Sequence, residues 1–232
     1  MNAKRTASLL ILAAVLANVA FTALGSIFNY PDVLDEPAGQ VLASFREHEG
    51  AVSAWFTVLA LSAALLAPIA IGVGRLSSAR AMRIAVPVGI AAATVQVIGL
   101  LRWPILVPGY AADAANGSAG ARDAFTTASD ILGTALGETL GYLLTATWTT
   151  LVIVALGRRY AGRWFVVLGA ASAGLVLAGV LSPLSLPVVD TANFFGYILW
   201  SLWLIAFGVV LLVRERRAAN APAAASRDAV TS

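Results

Sequence analysis

Six apolar stretches, each long enough to cross a bilayer, constrain this chain more than anything else in it. They run over Ala7–Phe28, Ala51–Val73, Ile84–Val107, Thr134–Leu156, Phe165–Leu186 and Ala192–Val213. About 20 apolar residues in a helix span the ~30 Å hydrocarbon core. Within lipid a backbone must satisfy its own hydrogen bonds, which only helices and closed barrels do. These runs are continuous and lack the apolar–polar alternation of barrel strands. The expected fold is therefore all-α: a polytopic transmembrane bundle of six spans forming one domain over residues 1–217. Residues 218–232, rich in Ala, Ser and Pro, are expected to be a disordered cytoplasmic tail. Charged residues are 12% of the chain, about half the ~25% usual in soluble domains.

The charges are sorted by side. Lys4 and Arg5 precede the first span, and Arg75, Arg80 and Arg83 lie between the second and third. Arg158, Arg159 and Arg163 lie between the fourth and fifth, and Arg214, Arg216, Arg217 and Arg227 follow the sixth. The alternate loops carry Asp32, Asp35, Glu36, Glu47 and Glu49, then Asp113, Asp123 and Asp130, then Asp190, with Arg46 and Arg122 against the trend. The positive-inside rule places both termini in the cytoplasm and the acidic loops outside. The basic surplus is thus a topology signal. Its natural partner is the lipid bilayer with its anionic headgroups, and nucleic acid is not expected. The first stretch exceeds the ~7–15-residue apolar core of a signal peptide and reads as an uncleaved span.

Short cytoplasmic connections favour three antiparallel hairpins. In the first outer loop, Asp35-Glu36-Pro37 is a helix-start signal, and Val41, Leu42 and Phe45 would form one apolar face of a short helix near residues 37–48. In the second, Asn116-Gly117-Ser118 marks a turn, after which helical sequence from about Ala121 enters the fourth span without a breaker. Pro104 and Pro108 are expected to end the third span, and Pro183 and Pro187 the fifth. Pro68 is a candidate kink in the second.

Polar residues gather in the outer halves of the spans. In the fourth, Ser129, Gly133, Gly137, Gly141, Thr145 and Thr149 recur every four residues. Such a ridge lets helices approach closely, within the bundle or across a homodimer. Beside it runs Thr126, Asp130, Thr134, Glu138 and Tyr142, which carries a carboxylate into hydrocarbon. Arg102 follows eighteen apolar or mildly polar residues and lies about 8 Å inside the outer end of its span. A charge at the membrane centre costs about 2.5–3.5 kcal/mol on insertion scales, and less toward the interface. Pairing Arg102 with Glu138 would lower both penalties. Asn18, Thr22 and Ser26 in the first span, Ser53 and Thr57 in the second, and Asn193, Tyr197 and Ser201 in the sixth lie at comparable depths, and Gln96 sits deeper, near the middle of the third. If these stripes face one another, they line a polar pocket open to the outer leaflet. Against that stands the plain structural role of such side chains, which bond one another or a carbonyl for ~0.6 kcal/mol per pair.

The absences narrow the chemistry. With no cysteine, disulfides, thiolate metal sites and cysteine nucleophiles are excluded. His48 is the only histidine, set between Glu47 and Glu49 in an outer loop, which excludes bis-His haem ligation and a His-rich zinc centre. No lysine lies within a span, so no retinal Schiff base can form. There is no phosphate-cradling glycine loop. No cofactor or metal and no catalytic residue is expected.

Leu101-Arg102-Trp103-Pro104, Gly137-Glu138, Gly141-Tyr142, Phe195-Gly196-Tyr197 and Trp200-Ser201-Leu202-Trp203, on six spans with an outer Pro37–Phe45 helix, resemble the bacterial membrane proteins grouped as domain of unknown function 4386. The resemblance covers nearly all the chain except the tail and implies architecture and a bacterial cytoplasmic membrane, with no activity attached. The functional expectation from the residues is an outward-facing intramembrane pocket for a small amphipathic or anionic ligand. Arg102, Glu138, Tyr142, Asn193, Tyr197 and Asn18 would line it, and Gly133, Gly137 and Gly141 would pack helices. A small-molecule transporter, or a non-catalytic interaction protein dimerising through those glycines, is the alternative.

Overall fold

A computed structural model describes residues 2–184 and 186–228, and all six spans are helical there, with no strand among the described residues. Helix α1 covers Ala3–Phe28. The Asn2 side chain accepts from the Arg5 amide at 3.0 Å at its start, and Asn29 in the left-handed region (φ 51°) ends it. The short helix α2, Ala38–Glu47, between the first and second spans, buries Val41, Leu42 and Phe45, the face expected from the sequence.

The second span is α3, Glu49–Ala64, and α4, Leu66–Gly74, parted at Leu65. Pro68 gives the reason. It has no amide to donate to the Ala64 carbonyl, and its ring crowds that same carbonyl. In the third span the prolines act differently from the expectation that they end it. Helix α5, Arg80–Ile105, carries Pro104, breaks at Leu106 and resumes as α6, Val107–Ala115. Pro108 falls in the first turn of α6, where a missing amide costs nothing.

The fourth span is one helical path, Ala119–Leu156, but not a uniform one. Helix α7, Ala119–Ala128, widens into a twelve-residue π-helical segment, Ser129–Leu140, before α8, Gly141–Leu156. A one-turn helix α9, Arg158–Ala161, is bracketed by Gly157 and Gly162 at φ 63° and 91°, conformations that any side chain would strain. Helix α10, Arg163–Ala178, tightens into a 3₁₀ turn around Pro183, and α11, Pro187–Asp228, carries the sixth span. Residues 218–228, within the segment expected as a disordered tail, continue the α11 backbone through an alanine-rich stretch. Residues 229–232 lie outside the described residues.

The spans pack in chain order around a ring. Helix α1 meets the second span on one side and α11 on the other, α5 joins the second span to the fourth, and α10 joins α8 to α11. Two apolar clusters divide this ring along its length. Toward the arginine-rich end, Leu10, Ile69, Met82, Trp148, Phe165, Trp203 and Phe207 form a core to which all six spans contribute. Toward the opposite end, Leu24, Phe28, Phe45, Phe56, Trp103 and Phe125 form a second core, drawn from the first three spans with α2, α6 and α7. Trp103 is fully buried there and stacks on Phe56 at 4.7 Å and 6°. Apart from Phe125 at the start of the fourth span, the last three spans contribute nothing to that second core among the described residues. The polar residues of those spans lie toward this end.

Candidate functional site

Arg102 occupies the last turn of α5, immediately before the Trp103 that anchors the outer core, and is 6% exposed. Its Nη1 donates to the Gly99 carbonyl at 2.7 Å, whereas its Nε is buried with no acceptor. The guanidinium lies flat against the π-helical segment at Gly133. A methyl group placed on Gly133 would stand 2.7 Å from Nη2 and 2.8 Å from Cζ, so only glycine admits the cation here. One turn deeper, Gly99 and Gly137 bring the backbones of the third and fourth spans together, with a Gly99 Cβ falling 2.8 Å from the Gly137 Cα and from the Leu132 carbonyl. Deeper again, Gly141 abuts the Gln96 side chain, whose Nε2 donates to Thr145 Oγ1 at 3.0 Å. The small-residue ridge is therefore filled from within the chain: Gly133 by Arg102, Gly137 by Gly99, Gly141 by Gln96.

Glu138 is half-buried on the π-helical segment. It lies within coulombic reach of Arg102 and of Asp190 in the first turn of α11. Among the described residues no ion pair within 4.0 Å joins Arg102 to a carboxylate. The two charges share a site without touching. Helical geometry explains why they share it. Five residues along an α-helix, at 3.6 per turn, turn about 140° away from the start. In a π-helix i bonds i+5, so Glu138 returns to the Gly133 face, where Arg102 sits.

Around this pair stand three tyrosines. Tyr142, one turn after Glu138, meets Tyr197 of α11 edge-to-face at 5.7 Å, and Tyr197 meets Trp200 at 6.1 Å. Tyr30 reaches in from the loop after α1, its ring against Phe56 at 5.1 Å, within coulombic reach of both Arg102 and Glu138. Burial pushes the Tyr30 phenol well above its ordinary value, with the Glu138 charge adding and Arg102 opposing. Tyr30 thus stands at the site as a neutral hydrogen-bond donor. The sequence reading missed it, because it lies in a loop beyond the apolar run. The Tyr-Pro step at the span's end was the one signal that placed an aromatic near that depth.

The remaining candidates divide. Asn193 is buried, its Nδ2 donating at 2.9 Å to the Val176 carbonyl, near where α10 gives way to the 3₁₀ turn. It ties the fifth and sixth spans together beside Tyr142, since both side chains crowd Gly179. Trp200 Nε1 donates to Thr149 Oγ1 at 2.8 Å, a similar tie between the sixth and fourth spans. Asn18 stands apart. It lies on the outward face of α1 with its Nδ2 on the Ala14 carbonyl at 2.7 Å. Together with Thr22, Ser26 and Trp55 it lines a shallow groove of about 410 Å³, and with Ser201 and Ile198 a second of about 260 Å³. The polar stripe of the first span is thus turned outward, and Asn18 shares a groove with Ser201 of the sixth span. Among the described residues no three His, Cys, Asp or Glu side chains gather as a metal site requires.

Residues 6–208 match the family model described as Domain of unknown function (DUF4386). The chain belongs to that family. No curated protein matches the chain, and no solved structure does. The match takes in the six spans as far as Gly208, with the Arg102–Glu138 site and both apolar cores. This DUF4386 protein is a multi-pass membrane protein by its six helices of sufficient length and apolarity. The family carries no activity to lend to the site, whose chemistry must be argued from its own groups.

Proposed function

We propose that this DUF4386 protein binds a small amphipathic or anionic ligand at Arg102, at the outer end of the bundle in a bacterial cytoplasmic membrane, with both termini inside. One observation carries the reading: a guanidinium buried at membrane depth with its Nε unpaired and no carboxylate in contact. Removing such a cation from water is costly, and a purely structural arginine recovers that cost by filling its donors or pairing directly. Here one donor is used, and the guanidinium lies against Gly133 and 5.3 Å from the centre of the Trp103 ring, with Tyr30 and Tyr142 within electrostatic reach. The clustering of Lys4, Arg5, Arg75, Arg80, Arg158 and Arg163 at the other end of the spans supports the orientation.

The test is native mass spectrometry of the protein purified in mild detergent. Wild type should retain a defined small-molecule mass that Arg102→Ala and Arg102→Lys both lose. Lysine keeps the charge and insertion but not the planar fork. An adduct unchanged in both variants, or no adduct in wild type after extraction with minimal washing, overturns the assignment.

A transport role is the second reading, favoured by the helix interruptions. The break at Leu65, the break at Leu106 and the π-helical segment interrupt three of the six spans, as spans of transporters often are. Flux of the retained molecule in proteoliposomes, abolished by Glu138→Gln, would select it over binding alone.

A further inference from the structure

We infer that the arginine-rich end of the bundle carries a site for the phosphate of an anionic phospholipid, formed by Arg158, Arg159 and Arg163 around the one-turn helix α9 together with Arg214 of α11. Adjacency in the chain puts three of these charges within six residues, and a side-chain contact adds the fourth. The Arg214 guanidinium lies 4.5 Å from the centre of the Tyr160 ring, so α11 lays its charge over α9. Tyr160 is itself held by the core, its ring 5.8 Å from that of Phe165 and 5.7 Å from that of Phe207. Gly157 and Gly162, at positive φ, turn the chain into and out of α9. The arginines are therefore displayed from a pinned turn.

Charge complementarity gives the sign of the occupant. All four arginines are exposed, and among the described residues no carboxylate lies within 4.0 Å of any of them. Glu215 follows Arg214 in the chain, but its Oε2 is buried without a partner. Guanidinium groups gathered in this way repel one another, and a phosphate, which accepts two parallel N–H bonds from an arginine, relieves that repulsion. The apolar surroundings decide what carries the phosphate. Trp164, next to Arg163, is 44% exposed; Val154, one turn before α9, is 67% exposed; and Val167, one turn after Trp164, is 65% exposed. Basic groups continuous with a lipid-facing apolar surface, with an aromatic at the boundary, match an anion that bears acyl chains. Its head sits on the arginines and its chains run along α8 and α10. Arg80 and Arg83, exposed in the first turn of α5 at the same end, lie on no aromatic ring among the described residues and provide the comparison.

The experiment is competitive native mass spectrometry of the full chain in mild detergent, with phosphatidylglycerol and phosphatidylcholine of matched acyl chains. Wild type should retain phosphatidylglycerol over phosphatidylcholine by about fivefold or more, the scale of one arginine engaged at a membrane surface. Arg158→Gln combined with Arg159→Gln should bring that ratio near one, and Arg214→Gln should lower it. These side chains are exposed and Arg163 stays in the loop, so fold and insertion are kept, with the melting temperature as the check. Arg80→Gln combined with Arg83→Gln should leave the ratio unchanged. An equal fall in both double variants overturns the site and leaves only the general field of the arginine-rich end. A ratio near one in wild type, or one indifferent to the Arg158 and Arg159 pair or to Arg214→Gln, overturns it as well. So does displacement of the lipid by millimolar inorganic phosphate at matched ionic strength, which would show a site for a free anion.

Discussion

At the scale of single residues, two positions show how little chemistry the sequence alone can apportion. Arg102 reads from the sequence as a charge in need of a partner, and Glu138 is the obvious candidate. What decides the geometry is Gly133, which has no chemistry of its own and whose missing side chain makes room for the guanidinium. Tyr30 is the second position. Its phenol is raised by burial above the ordinary tyrosine value of 10.0, so the neutral form is favoured in the folded protein. A raised value means that its contribution to stability is complete below pH 10 and is lost as the pH climbs beyond it. Phenolate absorbance titrated in detergent should therefore show no difference between wild type and Tyr30→Phe until well past pH 10. A phenolate at position 30 that titrates at the ordinary value would mean that the loop exposes it.

At the scale of elements, the fourth span carries the surprise. Its four-residue periodicity of small residues is sound as a packing signal, and that ridge does lie on α5. An α-helical wheel, however, sets Glu138 on a stripe beside the ridge, while the π-helical widening over Ser129–Leu140 brings it round toward Arg102. Where Gly99 crosses Gly137 the two backbones touch, and the atoms that an added methyl would strike are a Cα and a carbonyl oxygen, neither able to swing aside. Gly99→Ala should lower the melting temperature in detergent, at a cost of about 1–3 kcal/mol typical of overpacking. Gly109→Ala, on α6 with open space around the added methyl, is the control and should leave it unchanged or raise it slightly, since alanine favours a helix over glycine. Equal melting temperatures for both variants would show that the crossing is looser than the Gly99–Gly137 approach implies.

At the scale of the whole molecule, the two apolar cores make different demands. The one near the arginine-rich end draws on all six spans and fixes the ring. The one at the opposite end draws on the first three spans, α2, α6 and Phe125 at the start of the fourth span, which leaves the rest of that end to polar groups. That asymmetry gives the site its position, and the orientation in the membrane gives it its side. Because the chain has no cysteine, orientation is directly testable with single-cysteine variants at exposed loop positions. In intact cells a membrane-impermeant maleimide should label Ser118→Cys and spare Ser78→Cys until the cells are lysed. The reverse pattern would turn the site toward the cytoplasm.

The sequence by itself determined that this is an all-helical membrane protein, how many times it crosses, and which residues are anomalous at depth. Those properties follow from local composition: the length of apolar runs, the sorting of arginines between loops, the cost of a charge in hydrocarbon. The outer helix α2 was legible for the same reason, since its apolar positions recur at helical spacing. Only the tertiary structure decided which anomalies meet. It turned Asn18, Thr22 and Ser26 outward, used Asn193 to tie two spans, and brought Tyr30 in from a loop. It also gathered Arg102, Glu138, Tyr142 and Tyr197 from three different spans. The physical reason is that helix rotation about its own axis and departures from α geometry are set by packing against neighbours, and neither leaves a periodic trace in the chain that can be read without them.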